Sequence, residues 1–332
     1  MAAPGEPVLY SLFIYAPNKI APFIFAIAFA ISAVFHIWQC HRYKSWKLLG
    51  LHPLCAVLFT TGYALRTYGA HNYLYSTTTK LPLIIYILSQ VFIYVCPPLL
   101  ELSNYHVLAH LFFYVPYFSP LPPSRVLATF GGLMLIVELL NALGVALAAN
   151  PSSSPTTQSL GGNLVIAAIS LQVLIILIFI CLAAVFHRRF SKAKIRSKNV
   201  NAVLFTLYGS MLLIFVRCMY RVVEHAGNTK VELDDIEALR RLSPLLRYEA
   251  YFYVFEAGLM LVNSVLWNIW HAGRYLPREV HVYLGRDGRE VMGEKEVDFR
   301  SRWEKVGHVL SFGMLFRRKR GRSQRRDRRE SL

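Results

Sequence analysis

The sequence predicts an all-α fold: a seven-transmembrane helix bundle with its N-terminus outside and its C-terminus cytoplasmic. Three observations carry that expectation. The chain of 332 residues is 55% hydrophobic, with a mean hydropathy of +0.39, too apolar for an ordinary soluble domain. Seven segments approach the roughly 20 apolar residues that a bilayer crossing needs: about 20–39, 50–68, 81–112, 126–149, 162–186, 202–224 and 246–270. Basic residues, finally, gather in alternate connections, as the positive-inside rule requires.

Taken in order, residues 1–19 form an extracellular segment. They carry only Glu6 before Lys19, without the basic start of a cleaved signal peptide. The membrane domain covers 20–271. Its cytoplasmic connections hold Arg42, Lys44 and Lys47, then Arg125, then Arg188, Arg189, Lys192, Lys194, Arg196 and Lys198. The third segment contains Pro97-Pro98 and could be two short spans. Splitting it would put basic connections on opposite sides, so one kinked span is the better reading. Residues 150–161 (NPSSSPTTQSLG) read as a polar linker. Residues 224–245 suggest a short amphipathic helix across the outer mouth, and FFYVPYF (112–118) an interfacial aromatic belt. The basic cytoplasmic tail, 272–332, begins with a hairpin pattern at 281–291 around Asp287-Gly288. An apolar stretch at 303–316 then runs into Arg317, Arg318, Lys319 and Arg320. Such a run suits a helix lying on anionic lipid headgroups, with an unfolded solubilising tail as the competing reading.

The formal charge of +17 does not point to nucleic acid, because the basic residues follow topology and no base-reading motif is present. Membrane lipids are the expected partners, and oligomeric state is not legible. The five cysteines lack zinc or disulfide spacing. Cys40, at a span end, is a membrane-edge cysteine with palmitoylation as the sharper alternative.

Ionisable groups inside spans are costly and mark function by default. Arg217, Arg221 and Glu224 fall at i, i+4, i+7, as do Glu249, Tyr253 and Glu256, so each trio shares a helix face. If the last two spans touch, depth matches Arg217 to Glu256, and Arg221 to Glu249 or Tyr253. Gln90, Glu101, Asn104, Glu138, Asn141 and Gln172 reach similar depth. For Gln90, Asn104 and Gln172, interhelical hydrogen bonding is an equal reading. Carboxylates such as Glu138 and Glu256 must be paired, protonated or wet, which favours an internal pathway. Gly131, Gly132, Gly144, Gly209 and Gly258 allow close helix approach.

No catalytic residue and no cofactor is expected. His106 and His110 make a usable i, i+4 ligand pair, but no second cluster accompanies them, and the remaining histidines sit mostly at span ends. Nucleotide-binding motifs are absent. The span count fits a G-protein-coupled receptor, yet the DRY-type and NPxxY-type elements of that class are missing. A transporter and a seven-span sensor or receptor-like regulator of lipid or membrane-stress signalling remain, and a membrane lipid hydrolase stands third.

Two stretches, FVRCMYRVVEHAG (215–227) and RYEAYFYVFEAGLMLVNSVLWNIWHAGRYLP (247–277), resemble the fungal lipid-translocating exporter family, the aminocholesterol-resistance-like seven-span proteins. Residues 15–39, TGYALR (61–66), PPLLELSNYHVLAH (97–110) and GGNLVIAAISLQ (161–172) support the resemblance. It implies a plasma-membrane or endomembrane protein that exports, or confers tolerance to, sphingoid bases, lysolipids or sterol-like compounds. It carries over Tyr63, Arg66, Gln172, Arg217, Tyr220, Arg221, Glu224, Glu249, Tyr253 and Glu256 as motif positions. Phe59, His110, His271-Ala272-Gly273 and the Glu138/Asn141 pair depart from the family pattern.

Overall fold

The computed structural model describes residues 5–75, 78–148, 154–193, 197–227, 235–278, 282–285 and 289–292. Among the described residues, six helical segments are long and apolar enough to cross a membrane: Ala21–Tyr43, Leu81–Tyr114, Arg125–Ala148, Thr156–Lys192, Lys198–Ala226 and Glu249–Arg274. The remaining expected span is α3 (Leu51–Gly69), a 19-residue helix packed along α1 (Ala21–Tyr43). Its His52, Pro53, three threonines and Arg66 dilute its apolar character. The short α2 (Trp46–Leu49) joins the two.

The third segment is one kinked unit, α4 (Leu81–Tyr94) followed by α5 (Cys96–Tyr114), with Val95 alone between them. Pro97 and Pro98 cannot donate to the carbonyls one turn back, which loosens the ladder at that point. Next come α6 (Pro123–Ala148), α7 (Pro155–Lys192) and α8 (Lys198–Ala226). α6 and α7 pack closely: a Cβ on Gly161 would lie 2.5 Å from the Ala148 nitrogen, and one on Gly144 2.8 Å from the Gly161 carbonyl. Only glycine permits that approach.

After α8 the chain forms α9 (Ile236–Arg240), α10 (Pro244–Arg247) and α11 (Glu249–Phe252), then a π turn (Tyr253–Gly258) and α12 (Leu259–Ile269). Alternation of direction gives the bundle two ends. The upper end carries residues 5–20, the loop after α3, and α9–α10. The lower end carries α2 and an antiparallel pair, β1 (Val282–Leu284) with β2 (Glu290–Met292). That pair answers to the expected hairpin, although Asp287 and Gly288 lie outside the described residues. The lower segment docks on α5: the Tyr114 hydroxyl donates to Glu290 at 2.9 Å, and His110 Nε2 sits 2.9 Å from the Pro277 carbonyl.

Two expectations need correction. Residues 155–161 are the first turns of α7, not linker. Pro155 at its start is preset for a helix, and the Ser154 hydroxyl accepts from the Thr157 N–H at 3.3 Å. The aromatic run at the end of α5 is no simple belt, because Phe112, Tyr114 and Val115 are buried in the core. The N-terminal segment folds back into the bundle. Ser11 to Tyr15 are buried, Ser11 bridges Leu74, and Leu239 and Leu242 close over them. Ile14 adopts φ +73°, a conformation β-branched residues resist.

Candidate functional site

A cavity of about 830 Å³ occupies the upper half of the bundle. Tyr86, Gln90 and Tyr94 of α4 form one wall, Glu138 and Asn141 of α6 another, with Gln172 of α7 beside them. Arg217, Arg221, Glu224 and His225 of α8 supply a charged wall, while Arg66 and the buried stretch 12–15 contribute from the top. α4 packs on α3 and α5, and α6 on α5 and α7, but α4 and α6 make little contact with each other among the described residues. Ile87, Val91 and Val145 line the cavity at that gap and are half-exposed.

The basic groups are held in pairs. Arg217 Nε donates to Glu256 Oε1 at 2.6 Å, joining α8 to the π turn, with Glu256 fully buried. Arg221 Nη1 lies 2.5 Å from Glu224 Oε2 and 3.4 Å from the Tyr94 hydroxyl, its guanidinium over the Tyr94 ring. The Tyr220 hydroxyl donates to the other Glu224 oxygen at 3.2 Å. Arg66 sits between the Phe13 and Phe252 rings, bonding the hydroxyls of Tyr15 at 2.9 Å and Tyr253 at 3.3 Å. Its carboxylate partner is Glu249 at 3.6 Å, which also accepts the Asn18 N–H at 2.8 Å. Desolvated arginine forks of this kind hold their partners firmly.

Against this stands Glu138. It faces the cavity with a hydrogen bond from Asn141, and no arginine or lysine pairs with it among the described residues. It is the available carboxylate of the cavity.

The expected Arg217–Glu256 match is therefore present, but Arg221 does not reach Glu249 or Tyr253. A carboxylate one turn along its own helix is nearer, and Glu249 and Tyr253 face Arg66 of α3 instead. The shared face of Glu249, Tyr253 and Glu256 is broken by the π turn, which advances each residue by less than an α-helix does. Of the anticipated path residues, Glu138, Asn141, Gln172, Arg217, Arg221 and Glu224 line the cavity, with Arg66 and Gln90 from the secondary set. Tyr220, Glu249, Tyr253 and Glu256 stand behind that surface as partners of its residues. Tyr63 is fully buried among Phe25, Phe29 and Phe59. Glu101 is buried too, bonded to Tyr105 and, at 2.7 Å, to Gln172. Asn104 donates to Ser210 at 2.9 Å, an interhelical role. Arg317, Arg318, Lys319 and Arg320 lie outside the described residues.

Sequence reasoning missed the N-terminal wall, which has no periodicity to reveal it. Tyr86 and Tyr94 were legible, since they flank Gln90 at four-residue spacing on one face of α4.

The model of the family described as RTA1-like protein matches residues 53–279, most of the bundle. The chain belongs to the RTA1-like family. Within it, the chain is 54% identical over 321 residues to a lipid-translocating exporter-like protein RTA1 of Leptosphaeria maculans, covering 96% of this chain and 62% of that protein. A protein of the same name from Ajellomyces capsulatus is 28% identical over 220 residues, 63% of this chain and 65% of its own length. A probable lipid transporter, atnI, of Emericella nidulans is 22% identical over 289 residues, 80% of this chain and 68% of its own. The chain thus spans a little under two thirds of the first two relatives. No solved structure matches it. The family match and the apolar helices make it a multi-pass membrane protein.

Proposed function

We propose that this RTA1-like chain moves amphipathic lipids between the leaflets of a membrane, and that it does so as a transporter rather than an enzyme. α3 joins the six apolar helices as a seventh span, with the upper end outside and the basic lower end cytoplasmic. The substrates are sphingoid bases, lysolipids or sterol-like compounds, and their export at the plasma membrane gives tolerance to them. The names of its relatives support lipid movement. The observation that carries the reading is the cavity itself: its inner wall is charged, while its outer face, between α4 and α6, is apolar. A headgroup can enter there while its acyl chain stays in the bilayer.

Within that cavity Glu138 suits a cationic amine, because Arg66, Arg217 and Arg221 are already neutralised by Glu249, Glu256 and Glu224. Glu256 acts through Arg217, as a latch behind the path. The basic residues 317–320 would hold the tail to anionic headgroups.

The experiment is lipid movement in reconstituted vesicles, with a fluorescent sphingoid base followed by quencher accessibility. Wild type should expose the probe at least about tenfold faster than empty vesicles, a change worth about 1.4 kcal/mol in barrier. Glu138→Gln and Glu256→Gln should each remove most of that gain. Rates equal to empty vesicles with folded wild-type protein would sink the reading.

A further inference from the structure

The lower half of the bundle holds a second polar cluster, away from the cavity, where α1, α3 and α12 meet. His36 and His52 stack at 5.5 Å, and Trp267 lies 5.0 Å from His52. His36 Nε2 is 3.1 Å from the Ser264 hydroxyl, which shares a 2.7 Å hydrogen bond with Ser32. Asn268 Nδ2 donates to the Ser32 hydroxyl at 2.6 Å. His271 Nε2 ends the row, 3.9 Å from Cys40 Sγ.

Most of the ring and amide atoms in this cluster are unpartnered among the described residues. His36 Nδ1, both ring nitrogens of His52, both amide atoms of Asn263, Trp267 Nε1 and His271 Nδ1 find no hydrogen-bond partner. Their residues are all at most 2% exposed. Buried polar groups are nearly always satisfied, and this set mixes donors with acceptors. That mixture suits water, which makes about three hydrogen bonds when buried. No group of three or more metal-ligating side chains is placed to hold a metal among the described residues.

The other titratable groups facing the histidines are Cys40 of α1, Tyr43 at its end, and Arg274 beyond α12. No carboxylate does so among the described residues. Above the cluster lies one aromatic layer, Phe29 stacked on Phe59 at 4.5 Å. Beyond that layer the Tyr63 hydroxyl and Glu256 Oε2 are again buried and unpartnered. Asn263 and Glu256 are seven residues apart on the same helical segment, roughly 10 Å along its axis. The π turn lies at the Glu256 end, and such turns occur frequently at functional sites.

We propose that His36, His52 and His271, with Asn263 and bound water, form a proton-binding site loaded from the lower end. Its proton passes to Glu256, so that lipid movement is proton-coupled. The step balances simply: an imidazolium N–H bond breaks, an O–H bond forms on Glu256 Oε2, and the imidazole is left neutral. A neutral Glu256 no longer holds Arg217 by charge, and the guanidinium, which lines the same cavity as Glu138, is free to compete with a cationic headgroup for that carboxylate. Loss of the proton toward the cavity restores the ion pair. Histidine is suited to this because it exchanges protons near neutral pH, and intramembrane chains of such residues serve as relays.

The coupling rests on the proposed lipid movement, while the proton site does not, and the test separates them. In the first arm, full-length protein labelled with ¹⁵N-histidine is titrated in nanodiscs between about pH 4.5 and 8. The His52 signals, assigned by their loss in His52→Gln, should shift with pH. Invariant signals in folded protein would overturn the site whatever the lipid assay shows. In the second arm, vesicles carry an imposed pH gradient. Movement of the fluorescent sphingoid base should rise several-fold with the gradient and fall back with a protonophore. His52→Gln and Asn263→Leu should lose that response, either variant serving if the other does not fold. Movement indifferent to the gradient would overturn the coupling. Titrating histidines with no lipid movement at all would support the site and sink the transport reading.

Discussion

The two halves of the segment running from Glu249 to His271 treat polarity in opposite ways. In the upper half each carboxylate has an arginine: Glu249 holds Arg66 and Glu256 holds Arg217. In the lower half Asn263 and Trp267, like His52 of α3 packed beside them, have no hydrogen-bond partner for their side-chain polar atoms among the described residues. Both halves are buried, so desolvation cost does not distinguish them. What differs is where compensation comes from. The upper groups are compensated by the fold and should contribute to its stability, whereas the lower groups oppose folding unless something else binds them.

That contrast can be broken by substitution, with thermal unfolding followed by a thiol-reactive dye. Cys40, Cys55, Cys96 and Cys218 are all buried and suit the method. The largest effect is expected for Glu256→Ala, which strands the buried Arg217 charge and should cost about 3–5 kcal/mol. A neutral outcome would mean that Arg217 reaches solvent through the cavity. Asn263→Leu should not destabilise, because the amide and the water that satisfies it leave together. Destabilisation there would show that the amide is already bound within the protein. Tyr253→Phe removes one of two hydroxyls on Arg66 and should cost about 1 kcal/mol. The smallest change belongs to Asn104→Ala, about 0.6 kcal/mol for one interhelical hydrogen bond. A cost several times larger would move Asn104 out of the scaffold and into the site.

How much of this was legible in the sequence depended on the range of each interaction. Span positions followed from apolar length, and the Arg217–Glu256 pair from helical rise and antiparallel depth. The partner of Arg221 was misassigned because a local contact with Glu224 outweighed a cross-helix one, and depth alone cannot see that competition. Arg66 could not be matched to Glu249, since nothing in the sequence says that α3 faces α11. The π turn left no signal, so the face of Glu256 was drawn too close to that of Glu249. The start of α7 was there to be seen, because Ser154-Pro155 is a helix-start signature. His36, His52 and His271 looked like unrelated span-end residues. Only the packing of α1, α3 and α12 brings them together.

The chain before α1 has a consequence for what this protein can admit. With residues 11–15 folded into the upper end and tied through Tyr15 and Asn18 to Arg66 and Glu249, a solute arriving from the aqueous side meets a stopper. In the proposed orientation the gap between α4 and α6 faces sideways, into hydrocarbon. Candidates are therefore sorted by partitioning before they are sorted by fit. On the proposed function, a headgroup on a membrane-dissolved chain is delivered to Glu138 through that gap, an entry that a headgroup alone in water does not share.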